Sequence, residues 1–179
     1  MRILHCLRAP VGGLFRHVLD LASEQAARGH DVGILADSNA EDRLTGPKFA
    51  AIEPAMKLGV TRLPMDRHPG LGDWKASKSV VRHARDLKLN VLHGHGAKGG
   101  AFARLATGLD GGRRQTTMPS PAPWRTFYTP HGGSLHYAPG STAGRVYLGM
   151  ERLLERWTDG IVFESGYSAF YTDNGDPRP

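Results

Sequence analysis

The sequence predicts a doubly wound α/β fold, in which helices flank both faces of a mostly parallel sheet. Short apolar runs alternate with longer segments of helical periodicity along most of the 179 residues. Several of these apolar runs end in glycine, histidine or both. Parallel strands need a helical crossover between them, so the alternation predicts one Rossmann-like domain over residues 1–172.

The first half of the chain begins with an apolar strand at residues 3–7, followed by Pro10-Val11-Gly12-Gly13. A helix over residues 14–28 has Leu14 and Val18 on one stripe and ends at Gly29, a typical residue after a helix. The remaining elements of this half are strands at 32–36, 59–63 and 90–93, a short helix near 48–56, and a helix at 73–87 supported by Trp74, Val80, Val81, Ala84 and Leu87.

The second half repeats the alternation after an alanine-rich helix at residues 98–109. Glycine and proline then interrupt the pattern, which predicts a flexible surface loop over 110–125. Beyond this loop we expect strands at 126–129 and 160–163, the start of a helix at 165–171, a polar tail at 173–179, and a helix at 145–157 with Val146, Met150, Leu153, Leu154 and Trp157 facing inward.

Composition limits the classes of binding partner and the cellular compartment that we expect for this protein. The formal charge of +6 and a pI near 9.8 favour anionic partners, and basic residues concentrate between positions 62 and 88. This basic segment is either a solvated helix face or a surface for phosphate or an anionic membrane; nucleic acid is disfavoured because aromatic residues are not interleaved with the charges. We expect Cys6, the single cysteine, to be a small core residue. With no apolar span or signal peptide evident, we expect a cytoplasmic protein, with contact to the inner membrane face as a further hypothesis.

The diglycine Gly12-Gly13 is the first candidate binding element. Adjacent glycines after a strand let a ligand approach the backbone, and the N-terminus of the next helix favours a phosphate. The segment lacks the G-x-G-x-x-G pattern, so no dinucleotide cofactor is predicted.

Histidines follow two later strands. In His93-Gly94-His95-Gly96 we expect the imidazoles to point to opposite faces, with His93 within the sheet and His95 at the rim against a ligand hydroxyl or phosphate. No third ligand is evident nearby, so we predict no metal site. Lys98 either neutralises a phosphate or lies in the solvated first turn of its helix.

The second histidine motif is His131-Gly132-Gly133-Ser134, which we interpret as a second rim histidine beside a close backbone approach. A serine hydrolase is disfavoured, because the G-x-S-x-G elbow is missing. Glu164, at the end of a strand, is a weaker ligand candidate.

The last acidic pair, Glu151 and Glu155, is expected to serve as surface partners of Arg152 and Arg156 rather than as catalytic carboxylates.

Taken in order, four segments resemble the N-terminal domain of the family 4 (group 1) glycosyltransferases, which have the two-domain GT-B fold. They are P-V-G-G with its helix ending in A-A-R-G-H-D-V, then L-N-V-L-H-G-H-G-A-K-G-G, then Y-T-P-H-G-G-S-L, and M-E-R-L-L-E-R-W-T-D-G-I-V-F-E-S. The resemblance covers nearly the whole chain, from residue 1 to about 171.

The resemblance implies a hexosyltransferase that retains configuration and uses no bound metal or other cofactor. A nucleotide-sugar donor would be held mainly by a second domain, and an envelope or polysaccharide acceptor, often lipid-linked, by this one. Gly12 and Gly13 would face the donor pyrophosphate, while His95 would face the transferred sugar. Lys98, His131 and Gly132 complete the candidate binding residues, and none of these residues is assigned a catalytic role.

The sequence departs from the family in lacking two glutamates eight positions apart, which belong to the donor domain of the family. We therefore expect an acceptor-side half without its donor domain, inactive alone. The alternative is a non-catalytic α/β ligand-binding or regulatory domain.

Overall fold

The computed structural model describes residues 1–65, 71–110, 123–131 and 141–164. Within these ranges six strands form one sheet, and all five neighbouring pairs are parallel. The strands are β1 Arg2–Leu7, β2 Asp31–Asp37, β3 Val60–Leu63, β4 Val91–His95, β5 Arg125–Thr129 and β6 Gly160–Ile161. Their spatial order is β3-β2-β1-β4-β5-β6, so the predicted doubly wound α/β class is confirmed.

Helices connect these strands as the periodicity predicts. They are α1 Gly12–Ala27, α2 Thr45–Ile52 with a 3₁₀ turn at Glu53–Ala55, α3 Leu71–Asp86, α4 Gly96–Leu109 and α5 Thr142–Glu155. The expected helix at 165–171 and the tail lie outside the described residues. No helix in the described ranges combines the length and the apolarity needed to cross a bilayer.

Side chains of β1 alternate between two cores, one on each face of the sheet. Leu4 and Cys6 pack in a cluster with side chains of α3 and α4, whereas Leu7 packs with Phe15 and Val18 of α1. Burial raises the pKa of the Cys6 thiol to about 12, since the charged thiolate is costly in an apolar site. Cys6 is therefore a core residue, as predicted.

Glycines allow α4 to pack directly on the sheet. A Cβ atom at Gly99 would lie 2.5 Å from the carbonyl oxygen of Cys6, and one at Gly94 would lie 2.6 Å from the Cα of Gly100. Any larger side chain at these positions would push the helix away from β1 and β4. The glycines of this segment therefore serve helix–sheet packing.

The predicted inward stripe of α5 is confirmed for Leu154 but wrong for three of its other members. Val146, Met150 and Leu153 are exposed, whereas Leu154 is buried and Glu151 points toward α4. The cause lies in Arg104 of α4.

Arg104 is almost fully buried and needs a carboxylate. Its Nη1 donates to Glu151 at 2.6 Å and its guanidinium lies 3.9 Å from the ring centroid of Tyr128. Glu151 is thus the counter-ion of a buried arginine, which corrects its predicted role as a surface partner of Arg152.

Two tryptophans also differ from expectation. Trp74 is 54 % exposed, although the pattern placed it in the core face of α3. Trp124, inside the expected loop, is buried and its Nε1 donates to Thr107 Oγ1 at 3.0 Å. Because β5 begins at the next residue, the chain joins the sheet before the expected end of the loop; residues 111–122 lie outside the described part of the chain.

Candidate functional site

The candidate site lies where the winding of the sheet reverses, between β1 and β4. Strands β2 and β3 lie on one side of β1, whereas β5 and β6 lie beyond β4 on the other side. The loops that follow β1 and β4 therefore run in opposite directions. A crevice opens at such a switch point, outside the carboxyl ends of the strands, and ligands bind there in folds of this type. Gly12 follows β1 and His95 ends β4, so the two strongest sequence motifs flank this crevice.

The start of α1 offers exposed backbone to a ligand. Gly12 has φ +66°, a left-handed conformation that favours glycine, and a Cβ at Gly12 or Gly13 would meet no described atom within 4 Å. No side chain of the described residues caps the helix at Val11. Thr45 Oγ1 donates to the carbonyl of Pro10 at 3.0 Å and holds the loop. The first N–H groups of α1 are therefore placed to receive an anion.

Three histidines lie together beneath this crevice. His5 of β1 is directly opposite His93 of β4 in the register, and the ring centroids of His93 and His95 are 4.1 Å apart. The expectation that His93 and His95 face opposite sides is wrong, because residues two apart on a strand share a face. His95 is 1 % exposed, so its side chain lies under the rim and does not form its surface.

A continuous row of polar side chains runs through the cluster. His5 Nε2 lies 2.8 Å from Gln25 Oε1, and His5 Nδ1 lies 2.9 Å from His95 Nε2. His95 Nδ1 lies 3.1 Å from His131 Nε2, and His131 Nδ1 lies 2.6 Å from Glu164 Oε2. The row links α1, β1, β4 and the ends of β5 and β6 across the crevice.

Burial keeps these imidazoles neutral. Desolvation lowers the pKa of His5 to about 4 and that of His93 to about 3, and it holds the pKa of His95 well below its ordinary value. Desolvation also lowers the pKa of His131, while Glu164 acts in the opposite direction. Neutral imidazoles can accept or donate a hydrogen bond to a hydroxyl, and each can also offer a lone pair to a metal ion.

Of the remaining predicted binding residues, His131 joins the histidine cluster and Lys98 does not. His131, at φ +50°, is brought to the cluster by a backbone conformation that is uncommon for a residue with a side chain, a form of local strain often found at functional sites. Lys98 Nζ lies 2.6 and 2.7 Å from the two carboxylate oxygens of Asp73, so its charge is already balanced. Gly132 lies outside the described residues.

Sequence reasoning missed His5, His17 and Gln25. His17 of α1 lies one turn beyond Gly13, and its ring centroid is 5.0 Å from that of His131. A histidine in the apolar run before Cys6 was a signal for a polar cluster inside the sheet. The position of His17 required the packing of α1 over β4, which no local pattern indicates.

Comparison with known proteins assigns this chain to a family. Residues 12–169 match the family described as glycosyl transferase 4-like domain, and the chain belongs to that family. No match was found among curated protein sequences.

Among solved structures, the crystal structure of MurG from Acinetobacter baumannii has a TM-score of 0.58 and 15 % sequence identity. The match covers 99 % of this chain and 43 % of the MurG chain, so this chain spans less than half of that protein. At this identity the likeness concerns the fold, and it agrees with the predicted domain of the GT-B type.

Proposed function

We propose that this chain is the N-terminal, acceptor-binding half of a retaining glycosyltransferase that uses a nucleotide-sugar and an envelope or polysaccharide acceptor. The observation that carries the proposal is the arrangement at the switch point. Within a chain of the glycosyl transferase 4-like family, uncapped helix N–H groups and a row of imidazoles flank the same crevice. Pyrophosphate suits the former and sugar hydroxyls suit the latter.

Each residue has a role in this proposal. Gly12 and Gly13 let the donor pyrophosphate approach the backbone, because nothing described occupies the space a side chain would fill. His131 contacts sugar hydroxyls, and the buried ring of His95 packs beneath it. Lys98 supports the first turn of α4 through Asp73 rather than binding phosphate directly. A second domain closing over this crevice would supply the nucleotide site, so the chain alone is inactive in this proposal.

The outer face of α3 supports contact with an anionic membrane. Trp74, Lys75, Lys78 and Arg82 are exposed on this helix, and Lys78 Nζ lies 5.4 Å from the ring centroid of Trp74. An indole beside a row of cations is typical of helices that lie at a membrane surface. A lipid-linked acceptor would be reached from such a position, on the inner face of the membrane.

Vesicle binding tests this part of the proposal. The chain is expected to sediment with anionic vesicles and not with zwitterionic ones, and binding should weaken with salt. Lys78→Glu should weaken binding, whereas Lys57→Glu, in the turn before β3, should change it much less. Equal recovery with both vesicle types, or none with either, would remove the membrane from the proposal.

The transferase proposal is tested on the product of the whole gene. The coding sequence beyond codon 179 should encode a second Rossmann-like domain with two glutamates eight positions apart. In that protein His95→Ala should reduce sugar transfer, because it removes the buried ring that packs beneath His131. His30→Ala is the matched control, since His30 lies near Met1 at the opposite, amino end of the sheet. Unchanged transfer by His95→Ala would remove the histidine row from the site.

The second candidate is a non-catalytic α/β ligand-binding or regulatory domain. Uncapped helix N–H groups beside buried imidazoles would also bind a phosphate or a sugar in such a domain. A stop codon directly after codon 179, with sugar or nucleotide binding but no transfer, would support this candidate instead.

A further inference from the structure

We infer that His17, His95 and His131 form a binding site for a divalent transition-metal ion of the zinc class. Their ligating nitrogens all lie within 4.8 Å of one another. They come from α1, from the end of β4 and from the residue after Pro130, so an ion held by them would join the two sides of the crevice. The inference does not depend on the transferase proposal.

The hydrogen-bond row leaves two lone pairs facing each other. At one end, the carboxylate of Glu164 can only accept, so His131 Nδ1 carries the hydrogen and the neutral ring presents a bare Nε2. At the other end, Gln25 Oε1 accepts from His5 Nε2–H, which leaves His5 Nδ1 to accept from His95 Nε2–H. His95 then presents a bare Nδ1.

These two bare nitrogens are 3.1 Å apart. Two lone pairs at this distance repel unless a cation lies between them. A metal ion fits, since two nitrogens bound to tetrahedral zinc at 2.0–2.1 Å are about 3.3 Å apart.

The surroundings resemble the outer shell of a metal site. A carboxylate bonded to the far nitrogen of a metal-binding histidine orients that ring and raises its basicity, and Glu164 holds His131 in this way at 2.6 Å. The amide of Gln25 serves His95 similarly through His5. Three imidazoles leave a fourth tetrahedral position for water or a ligand oxygen.

A second trio in the cluster is a poorer site. His5, His93 and His95 also have nitrogens within 4.8 Å, but all three are buried. Both nitrogens of His5 already have partners, and His93 Nε2 lies 2.9 Å from Thr129 Oγ1. An ion there would be enclosed without a carboxylate, whereas His17 is only half-buried and connects the outer trio to solvent.

Metal titration of the chelator-treated chain tests the inference. We expect one equivalent of Zn²⁺ to bind by calorimetry, and Co²⁺ to give the absorption of a tetrahedral site. Zinc should also raise the melting temperature, because it binds the folded state. His17→Ala is the decisive variant, since alanine suits a helix and the position is half-buried. It should weaken zinc binding by about 100-fold or more, and Glu164→Gln by about 10-fold or more.

Two matched variants separate this site from its alternatives. His30→Ala, remote from the cluster, should bind zinc as the unmodified chain does, and His93→Gln should retain most of the affinity. Circular dichroism of each variant checks that it is folded. Failure to bind at micromolar zinc would overturn the inference. So would a His17→Ala variant that binds as tightly as the unmodified chain, because the ion would then lie elsewhere.

Discussion

Mild acid should destabilise this chain steeply, because its buried imidazoles stay neutral when folded. The pKa of His5 is about 4 and that of His93 about 3, against an ordinary value of 6.5. Below pH 6.5 the unfolded chain binds protons at these residues while the folded chain does not. The stability they contribute is therefore complete above pH 6.5 and falls as the pH drops toward the folded values.

The magnitude follows from the number of protons. Each histidine costs about 1.4 kcal/mol per pH unit within this window, which is about 2 kcal/mol between pH 7 and pH 5. His5 and His93 together should cost about 4 kcal/mol, and His95 acts in the same direction. This is a large share of the stability of a typical domain.

Urea denaturation in metal-free buffer measures this effect. The free energy of unfolding, followed by tryptophan fluorescence at several pH values, should fall with a slope of about two protons or more near pH 5.5. His93→Leu should remove about one proton from that slope. A slope below one proton would refute the conclusion that the cluster is buried and neutral.

Two further predictions concern stability at neutral pH. Gly99→Ala should destabilise the chain by more than about 2 kcal/mol, because its Cβ would overlap the backbone of β1. Gly13→Ala, in open space, should stabilise the chain by up to about 1 kcal/mol. Equal midpoints in urea for both variants would contradict the packing argument. Glu151→Gln removes the counter-ion of buried Arg104 and should lower the free energy of unfolding by about 3 kcal/mol. Glu155→Gln, on the exposed side of the helix, should lower it by less than about 1 kcal/mol. Similar losses for the two variants would show that the buried ion pair does not stabilise the fold.

Much of the architecture could be predicted because it depends on local patterns. Apolar runs and helical periodicity located all six described strands, and the helix predicted from Leu14 begins two residues earlier, at Gly12. Which face of a helix is buried was harder to predict from the sequence. In α5 the apolar stripe predicts that Val146 and Leu153 face inward, but the buried charge of Arg104 turns Glu151 toward the core instead.

The candidate site shows the same division. The sequence by itself determined the family, the parallel α/β sheet, and the placement of Gly12 and His95 at the carboxyl ends of neighbouring strands. These properties follow from short-range periodicity and from the rule that parallel strands all end at one edge. Only the tertiary structure decided that His5 and His131 join His95 in one row ending at Gln25 and Glu164, with His17 beside it. That row depends on strand register and on the packing of α1 over the sheet, which bring together side chains up to 139 positions apart between residues 25 and 164.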